Sequence, residues 1–328
     1  MFLVGAGAAF PNVDLSDGAL HAIAGSPAAE QSRIVERAGV RSRSISLRAE
    51  YVQGAKGSDF VQARQAAETT PSLLGAEAAK QALTRAGIAI EQVGLIIADT
   101  ATPYQTCPSE AQRIGGVFGV KVPAYDVVGG AKAFPLFFDL LKRWKADRFP
   151  EYVLCVSTNT PSQHVNYGVD SVGAALLGDS AAAFVVSRVH PGKWEVQSAN
   201  LEASGKRGPA ITVSRSAVVN VENVVRQQDV AQAMVSEFES LERDVPEAIR
   251  SGLFIGPELY ASDFQTIAAE RGIPRERVVS LTGEYGYSLG SSQGIALASL
   301  WEQVSPGQIV VLLHYGDGMI GRTVLVSQ

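Results

Sequence analysis

The sequence is poor in cysteine and has neither a long apolar run nor a dense basic run. Its 328 residues contain two cysteines, Cys107 and Cys155, and so low a number favours a reduced, intracellular protein over a disulfide-stapled secreted one. No basic region precedes the apolar start of the chain, and no apolar stretch approaches the roughly 20 residues of a membrane helix. These absences predict a cytoplasmic protein without a signal peptide or membrane segment.

The charge balance argues against nucleic acid as a partner. The chain carries 28 Lys and Arg residues against 33 Asp and Glu residues, which gives a formal net charge of −5. Nucleic-acid binding depends on a concentrated positive surface, and the basic residues here form no stripe. Hydrophobic residues make up 46% of the chain and charged residues 19%, as is typical of a globular protein with a substantial core.

Helix-like and strand-like patterns alternate along the chain. Apolar residues recur at helical spacing from Ser72 to Ala86, and Gly87 stands where such a helix would end. Short apolar runs predict buried strands at residues 93–99, 152–157, 181–187 and 308–313. This alternation predicts an α/β protein with layered, largely buried sheets. The weakly patterned residues 206–220 are predicted to form a mobile surface loop, where a substrate entrance can lie.

Four segments together resemble one enzyme family. They are Ile34 to Arg43 (IVERAGVRSR), Ala76 to Gly87 (AEAAKQALTRAG), Leu177 to Ala183 (LGDSAAA) and Tyr315 to Gly318 (YGDG). In this order they resemble the β-ketoacyl-acyl-carrier-protein synthase III family of condensing enzymes. No single segment is specific, because glycine-rich turns and alanine-rich helices are common, but four in register are improbable by chance.

The resemblance has implications for architecture, ligands and partners. It implies an α/β thiolase fold with five αβαβα layers and two similar halves, which we place at residues 1–170 and 171–328. It also implies a homodimer, or a heterodimer with a synthase III-like homologue. We expect no permanently bound cofactor and no metal. Coenzyme A or a phosphopantetheine thioester is expected as substrate or ligand, supplied as acyl-coenzyme A or on acyl-carrier protein.

One short motif places an alanine at the family's nucleophile. The family carries its acyl group on a cysteine at the N-terminus of a buried helix, where the helix dipole favours the thiolate. Residues 125–134 (YDVVGGAKAF) resemble the segment around that cysteine and put Ala131 in its place. A methyl group cannot attack a thioester, so the ordinary nucleophile is predicted to be absent.

The two other catalytic positions of the family also differ. The segment FIGPELY places Glu258 where the resemblance implies a histidine, and YGYS places Tyr287 where it implies an asparagine. A carboxylate can act as a general base, but in its ionised form it cannot donate a hydrogen bond to an oxyanion. Three coordinated departures argue against an engineered knockout at Ala131. They predict that the ordinary Claisen condensation is lost.

Further residues are candidates for the same pocket. The backbone of Gly316 and Gly318 matches the family loop that contributes to the oxyanion hole. Lys132 is a candidate amine nucleophile, although a packing or surface role is favoured. Cys107 resembles a position that reaches into the partner subunit's acyl pocket, but a small buried hydrophobic role is favoured. His314 is expected to be a buried, neutral histidine held by the backbone.

Two arginines are candidates for the cofactor end of the pocket. Arg37 matches a family arginine near the nucleotide, and Arg33 replaces an aromatic residue that stacks on adenine. A guanidinium group can also stack on a flat ring. The alternative, that both are solvated surface arginines, stays open.

Three functions follow as hypotheses. The loss of all three catalytic residue types favours a non-catalytic subunit that pairs with an active homologue. One alternative is a divergent acyltransferase or condensing enzyme that holds two substrates for direct attack, with Glu258 as base and Tyr287 as donor. The other is a binding scaffold for acyl-coenzyme A or acyl-carrier protein. Neither the acyl chain nor the pathway follows from the residues.

Overall fold

The structure is a computed structural model that describes residues 1–16, 35–54, 60–168, 170–203, 211–213, 219–221, 227–316 and 318–328. Arg33 and most of the predicted loop at 206–220 lie outside the described residues. Among the helices that are described, none combines the length and the apolar character needed to cross a membrane.

Helices and strands alternate through most of the described chain, as predicted. The described α-helices are α1 (Ala49–Gly54), α2 (Phe60–Ala66), α3 (Pro71–Ala86), α4 (Glu110–Phe118), α5 (Ala133–Arg143), α6 (Ser171–Leu176), α7 (Gln227–Asp244), α8 (Pro246–Ser251), α9 (Ala261–Glu270), α10 (Thr282–Tyr285) and α11 (Ser291–Ser299). The described strands are β1 (Phe2–Ala9), β2 (Val13–Ser16), β3 (Ser42–Ile45), β4 (Val93–Asp99), β5 (Ala124–Asp126), β6 (Tyr152–Asn159), β7 (Ser180–Ser187), β8 (Trp194–Ala203), β9 (Ile211–Val213), β10 (Val219–Val221), β11 (Leu253–Ile255), β12 (Ile309–Gly316) and β13 (Met319–Ser327). Short 3₁₀ turns cover Ile90–Gln92, Gly130–Lys132, Ala146–Arg148, Pro161–His164, Glu258–Tyr260 and Arg275–Arg277.

The main sheet consists of two halves with the same strand order. The described strands lie in the order β11-β12-β13-β8-β1-β7-β6-β4-β5, and β8 meets β1 through two residue pairs. Counted in chain order, the first half runs 1-5-4-2-3. In the second half, β8 counts as 1, β11 as 2, β12 as 4 and β13 as 5, which gives the order 1-5-4-2. The place of strand 3, beside β11, is taken by a single parallel bridge from Phe254 to Val278. Strand directions agree as well, since β4–β6 and β11–β12 are parallel while the neighbouring β6–β7 and β12–β13 pairs are antiparallel.

Helices cover both halves and fill the space between them. Helices α3 and α4 pack on the outer face of the first half through a cluster that includes Ala78 and Ile114. Helices α5 and α11 lie between the halves, where Phe134 and Leu297 meet strand residues from both. Helices α7 and α9 cover the outer face of the second half through a cluster around Phe238. The predicted five-layered αβαβα arrangement is confirmed.

Strand β12 shows why the predicted buried strands have no polar alternation. Successive side chains of a strand point to opposite faces of the sheet. Val310 and Leu312 belong to the cluster between the halves, whereas Val311 and Leu313 belong to the cluster under α7. Because both faces are covered by helices, the run must be apolar at every position.

Helix α3 begins and ends where the sequence predicted. The Thr70 side chain caps its N-terminus by accepting a hydrogen bond from the Leu73 backbone at 3.3 Å, and Pro71 occupies the first turn. At the other end, Gly87 adopts a left-handed backbone with φ of +67°, a conformation that favours glycine. The predicted helix over 72–86 and its glycine stop are confirmed.

The predicted boundary between the two halves, at residues 170 and 171, stays a prediction. Strand β7 follows that boundary in the chain but pairs with β1 and β6 of the first half. Strand β8 pairs with β13 over most of its length. We propose that the junction lies between β7 and β8, at residues 188–193.

Phe134 gives a stability prediction for the layer between the halves. Its side chain is fully buried and makes edge contacts with Phe184 at 4.8 Å and Phe137 at 5.7 Å between ring centroids. Phe134→Ala is expected to lower the free energy of unfolding by about 3–5 kcal/mol, through lost burial and the cavity left behind. Urea unfolding measures this, with the exposed Val189→Ala as a control that changes stability by less than about 0.5 kcal/mol. Equal effects of the two substitutions would contradict the assigned layer.

Candidate functional site

Six separate chain segments meet around one cavity of about 570 Å³. Among its walls are six of the predicted site residues: Ala131, Lys132, Glu258, Tyr287, His314 and Gly316. Apolar and aromatic side chains complete much of the wall, including Val128, Leu259, Tyr260, Leu289, Tyr315 and Met319. The positions implied by the resemblance therefore share one enclosure, although they lie far apart in the chain.

A tight turn presents Ala131 at the start of helix α5. The turn Gly130–Lys132 immediately precedes α5, and Gly130 has a left-handed backbone with φ of +56°. Gly290, at the start of α11, packs closely beneath it: a Cβ there would lie 2.5 Å from the Gly130 carbonyl oxygen. Ala131 thus has the placement of a nucleophile at a helix N-terminus, with a methyl group in place of a thiol.

The backbone of Gly316 borders the Ala131 position. A Cβ built on Gly316 would lie 3.7 Å from the Ala131 Cβ, and the φ of Gly316 is +150°, a conformation that favours glycine. Gly318 is buried in the turn that joins β12 to β13, with φ of +77°. Gly318 does not itself belong to the cavity wall, whereas its neighbour Met319 does.

A buried carboxyl group, missed by the sequence analysis, fixes this turn. Asp99 ends strand β4, accepts a hydrogen bond from the Gly129 backbone at 2.6 Å and another from the Ser157 hydroxyl at 2.9 Å. Asn159 and Ser291 extend the network, and burial raises the pKa of Asp99 to about 6. An acidic residue that closes an otherwise apolar strand was the available signal.

The raised pKa of Asp99 predicts a stability change with pH. The pKa rises on folding from 3.8 to about 6, so this group stabilises the fold below the unfolded pKa and that contribution is lost as pH rises through 6. Relative to Asp99→Asn, wild-type stability is expected to fall by about 2–3 kcal/mol between pH 4 and pH 7, at roughly 1.4 kcal/mol per pKa unit. Urea unfolding at several pH values measures the difference, with Asp147→Asn on the surface as control. A pH-independent difference would contradict this role.

Glu258 lies at the start of the turn Glu258–Tyr260 and is 3% exposed. Its Oε2 accepts hydrogen bonds from two hydroxyls, a short one from Ser280 and one of 2.6 Å from Thr282. Its Oε1 is buried, and no described residue hydrogen-bonds to it. Burial raises the pKa of Glu258 to about 7, and the hydrogen bonds from Ser280 and Thr282 limit the rise. The group can therefore exchange a proton near neutral pH, and its protonated form can also donate.

Tyr287 and Leu289 form the wall supplied by the segment before α11. Tyr287 is 3% exposed, and its backbone amide donates to the Leu176 carbonyl oxygen at 2.9 Å, which anchors the segment to α6. Leu289 has a positive φ of 54°, which costs about 1 kcal/mol or more for a residue other than glycine. Strained backbone is thus found in the cavity wall.

Lys132 is buried, 2% exposed, and lines the cavity. The surface alternative for this residue is therefore not realised. Its Nζ donates a hydrogen bond to the Gly316 carbonyl oxygen at 3.0 Å. Regular helix geometry would direct a neighbour of Ala131 elsewhere, but Lys132 has non-helical backbone angles of −128° and 29°. The cavity thus has an ammonium group beside the Ala131 turn.

His314 is buried and neutral, as expected, but side chains rather than the backbone hold it. Gln293 donates its amide protons to the carbonyl oxygens of Gly256 and Leu313, both at 2.8 Å, so its Oε1 must accept from His314 Nδ1 at 2.7 Å. Thr323 lies 3.4 Å from Nε2. Burial, followed by the charge of Lys132, lowers the pKa of His314 to about 3. This histidine is not a proton carrier near neutral pH.

The remaining candidates lie away from the cavity wall. Cys107 is exposed, which corrects the expectation of a buried hydrophobic role. Cys155 is buried in β6, and burial raises the pKa of its thiol. Arg37 pairs with Asp263, its Nε donating to Oδ2 at 2.7 Å, and its guanidinium lies 5.3 Å from the Tyr260 ring centre. Arg37 is therefore neutralised within the chain rather than solvated, and no metal-binding cluster occurs among the described residues.

Sequence comparison relates the chain to condensing enzymes. No family model matches it. It is 25% identical over 287 residues to "Beta-ketoacyl-[acyl-carrier-protein] synthase III" of Chlamydia trachomatis serovar D, an alignment that covers 80% of this chain and 86% of the relative.

Solved structures share the fold over almost the whole chain. The 3-oxoacyl-[acyl-carrier-protein] synthase III of Aquifex aeolicus VF5 superposes with a TM-score of 0.80 at 22% identity and covers 99% of each chain. A variant of Xanthomonas campestris OleA with bound lauric acid and lauroyl-CoA gives a TM-score of 0.77 at 18% identity, over 99% of this chain and 98% of the other. The chain therefore has the thiolase fold of these enzymes and is similar in sequence to β-ketoacyl-[acyl-carrier-protein] synthase III proteins.

Proposed function

We propose that this chain binds an acyl thioester of coenzyme A or phosphopantetheine in the cavity and passes the acyl group directly to a second substrate, with Glu258 as general base. The observation that carries this proposal is the state of the Glu258 carboxyl group. Two hydroxyls hold Oε2, while Oε1 has no hydrogen-bond partner among the residues described. A buried carboxyl oxygen without a partner is costly, so a polar ligand group is the natural complement.

Direct transfer is supported by the position of the thiols. Ala131 has no nucleophile at the helix N-terminus, Cys107 is exposed outside the cavity wall, and Cys155 is sealed inside β6. Holding two substrates in reacting geometry lowers a barrier by several kcal/mol without any covalent intermediate. A missing cysteine therefore does not by itself remove activity.

Acyl thioesters are the ligand class favoured by the cavity and by the relatives. About 570 Å³ falls within the range of small-molecule sites, roughly 300–1,000 Å³. The wall combines apolar side chains with a few polar groups, as such sites do. The Chlamydia relative is named for an acyl-carrier-protein substrate, and the OleA variant contains lauroyl-CoA.

The proposed reaction is balanced without a covalent enzyme intermediate. The thioester carbonyl lies at the Ala131 end, beside Gly316. Ionised Glu258 takes the proton of the attacking group at Oε1 as the new bond to the carbonyl carbon forms. When the carbon–sulfur bond breaks, Glu258 returns that proton to the departing thiolate. A pKa of about 7 for Glu258 allows both transfers near neutral pH.

A non-catalytic subunit that pairs with an active homologue is the second candidate. Strand β5 ends the described part of the main sheet, so its outer backbone groups are open to pairing. Tyr125 in this strand is 55% exposed and Val128 just after it is 66% exposed, which favours contact with a second chain. A copy of this chain or a homologue would fit there.

The rate of coenzyme A release distinguishes a direct acyl transferase from a non-catalytic subunit. A Cys107→Ser protein, used to remove the exposed thiol, is incubated with octanoyl-coenzyme A, with water or hydroxylamine as acceptor. Direct transfer predicts coenzyme A release at least about 100-fold above the uncatalysed rate. No release by the chain alone, with release restored by a cysteine-containing homologue that co-purifies with it, would replace the first candidate with the second.

A further inference from the structure

Glu258 lies between two cavities of very different size. Besides the large one, it lines a cavity of about 10 Å³ together with Ser280, Val279 and Phe264. That volume is close to the space needed by one water molecule. None of these three companions belongs to the wall of the large cavity. Glu258 therefore borders two separate cavities.

The two hydroxyls that hold Glu258 differ in their access to solvent. Thr282 is 1% exposed and lies outside the small cavity, whereas Ser280 is half-buried and lines it. Both donate to Oε2, which leaves Oε1 for the substrate. Only Ser280 thus combines a hydrogen bond to the carboxyl group with a water-sized space at its side.

We propose that Ser280 is a positioning residue that relays protons between Glu258 and solvent while an acyl thioester fills the large cavity. On the inward path, the Ser280 hydroxyl gives its proton to Oε2 and takes one from a water in the small cavity, which takes a proton from solvent in its turn. The outward path is the reverse, so each step moves one proton and changes nothing else. This inference rests on the proposed function of Glu258.

The relay would set the protonation state of the base after the substrate has bound. A bound thioester displaces water from the large cavity and closes that route to Oε1. With a pKa near 7, a large share of the molecules would otherwise enter the complex with a protonated base and remain blocked. A second route through Ser280 lets these molecules lose the proton without releasing the substrate.

Infrared spectroscopy of hydrogen–deuterium exchange tests the relay. The protein, saturated with the uncleavable thioether S-octyl-coenzyme A, is mixed rapidly into D₂O, and the carbonyl stretch of protonated Glu258 is followed. Absence of this band in Glu258→Gln assigns it. Ser280→Ala should slow the exchange at least about tenfold, because the relay hydroxyl is gone. Thr282→Val, the matched control, and Ser280→Thr, which keeps a hydroxyl, should exchange at the wild-type rate.

The outcomes separate the relay from the proposed function. Exchange in Ser280→Ala as fast as in wild type, or slowed equally in Thr282→Val, overturns the relay. Thiol release is measured independently on the same variants: full activity of Glu258→Gln would refute the general base and leave the exchange result standing. Thermal unfolding of each variant confirms that the compared proteins are folded.

Discussion

Replacing Glu258 with glutamine is expected to lower thiol release from an acyl thioester by about 100-fold or more, because a positioned general base contributes roughly 10²–10⁴-fold. Glutamine has nearly the same shape and stays compatible with burial, but it cannot take up a proton. Its amide can still meet Ser280 and Thr282 through its oxygen. The expected loss is therefore one of proton transfer rather than of packing.

The pH dependence of the rate shows whether Glu258 acts as a general base or as a general acid. A base acts in its ionised form, and burial raises the pKa of Glu258 to about 7. The wild-type rate should rise as pH increases through about 7 and then level off. The Glu258→Gln protein should lose this rise. A rate that falls through the same range would instead identify Glu258 as a general acid.

Glu284 provides a matched control for the charge change. It is exposed, lies in the nearby helix α10 and does not line the cavity. Glu284→Gln should keep the wild-type rate and pH profile. Unchanged thiol release in Glu258→Gln, with both proteins folded, would remove Glu258 from the mechanism.

Introducing a cysteine at position 131 is expected to create a covalent acyl-enzyme. The new thiol would lie at the start of α5, beside Gly316 and near the buried ammonium group of Lys132. A helix N-terminus and a neighbouring cation both lower the pKa of a thiol. Ala131→Cys in the Cys107→Ser background should therefore gain one acyl group from octanoyl-coenzyme A, visible by intact mass spectrometry.

Thiol alkylation checks the same environment without any acyl substrate. The cysteine at 131 should react with iodoacetamide about tenfold faster near neutral pH than exposed Cys107 of the wild-type protein, because more of it is thiolate. Failure to acylate, together with slow alkylation, would mean that the cavity does not present position 131 as a nucleophile.

The parts of the fold that depend on local pattern could be predicted from the sequence. Helix α3 has its own caps in Thr70 and Gly87, so its limits follow from neighbouring residues. Strand β4 is an apolar run between polar residues, and the prediction over 93–99 matches it at both ends. The order of strands in the two halves depends on long-range pairing, which no local pattern contains.

The site residues that lie in a recognisable motif could be predicted, whereas their hydrogen-bond partners from distant parts of the chain could not. Ala131, Glu258 and Tyr287 came from family resemblance and do meet in one cavity. The raised pKa of Glu258 depends on burial, while Ser280 and Thr282 are partners that only folding brings to its carboxyl group. From the sequence alone, Glu258 would be expected to be an ordinary ionised carboxylate.

Lys132 and His314 show the same limit at the level of single side chains. Regular helix geometry would direct the Lys132 side chain away from the cavity, but its non-helical backbone turns the ammonium group towards Gly316. The expected state of His314 was correct, but Gln293 holds the ring, and that pairing joins α11 to β12. Hydrogen bonds between buried polar groups of distant elements cannot be predicted from local sequence patterns.

Intact mass spectrometry of the chain during turnover distinguishes direct acyl transfer from transfer through a covalent acyl-enzyme. The Cys107→Ser protein is mixed with octanoyl-coenzyme A and hydroxylamine, and the protein mass and the released coenzyme A are followed together. Direct transfer predicts steady release of coenzyme A from a protein whose mass stays unchanged throughout. A protein mass raised by one octanoyl group during turnover, and lost again as product forms, would contradict direct transfer.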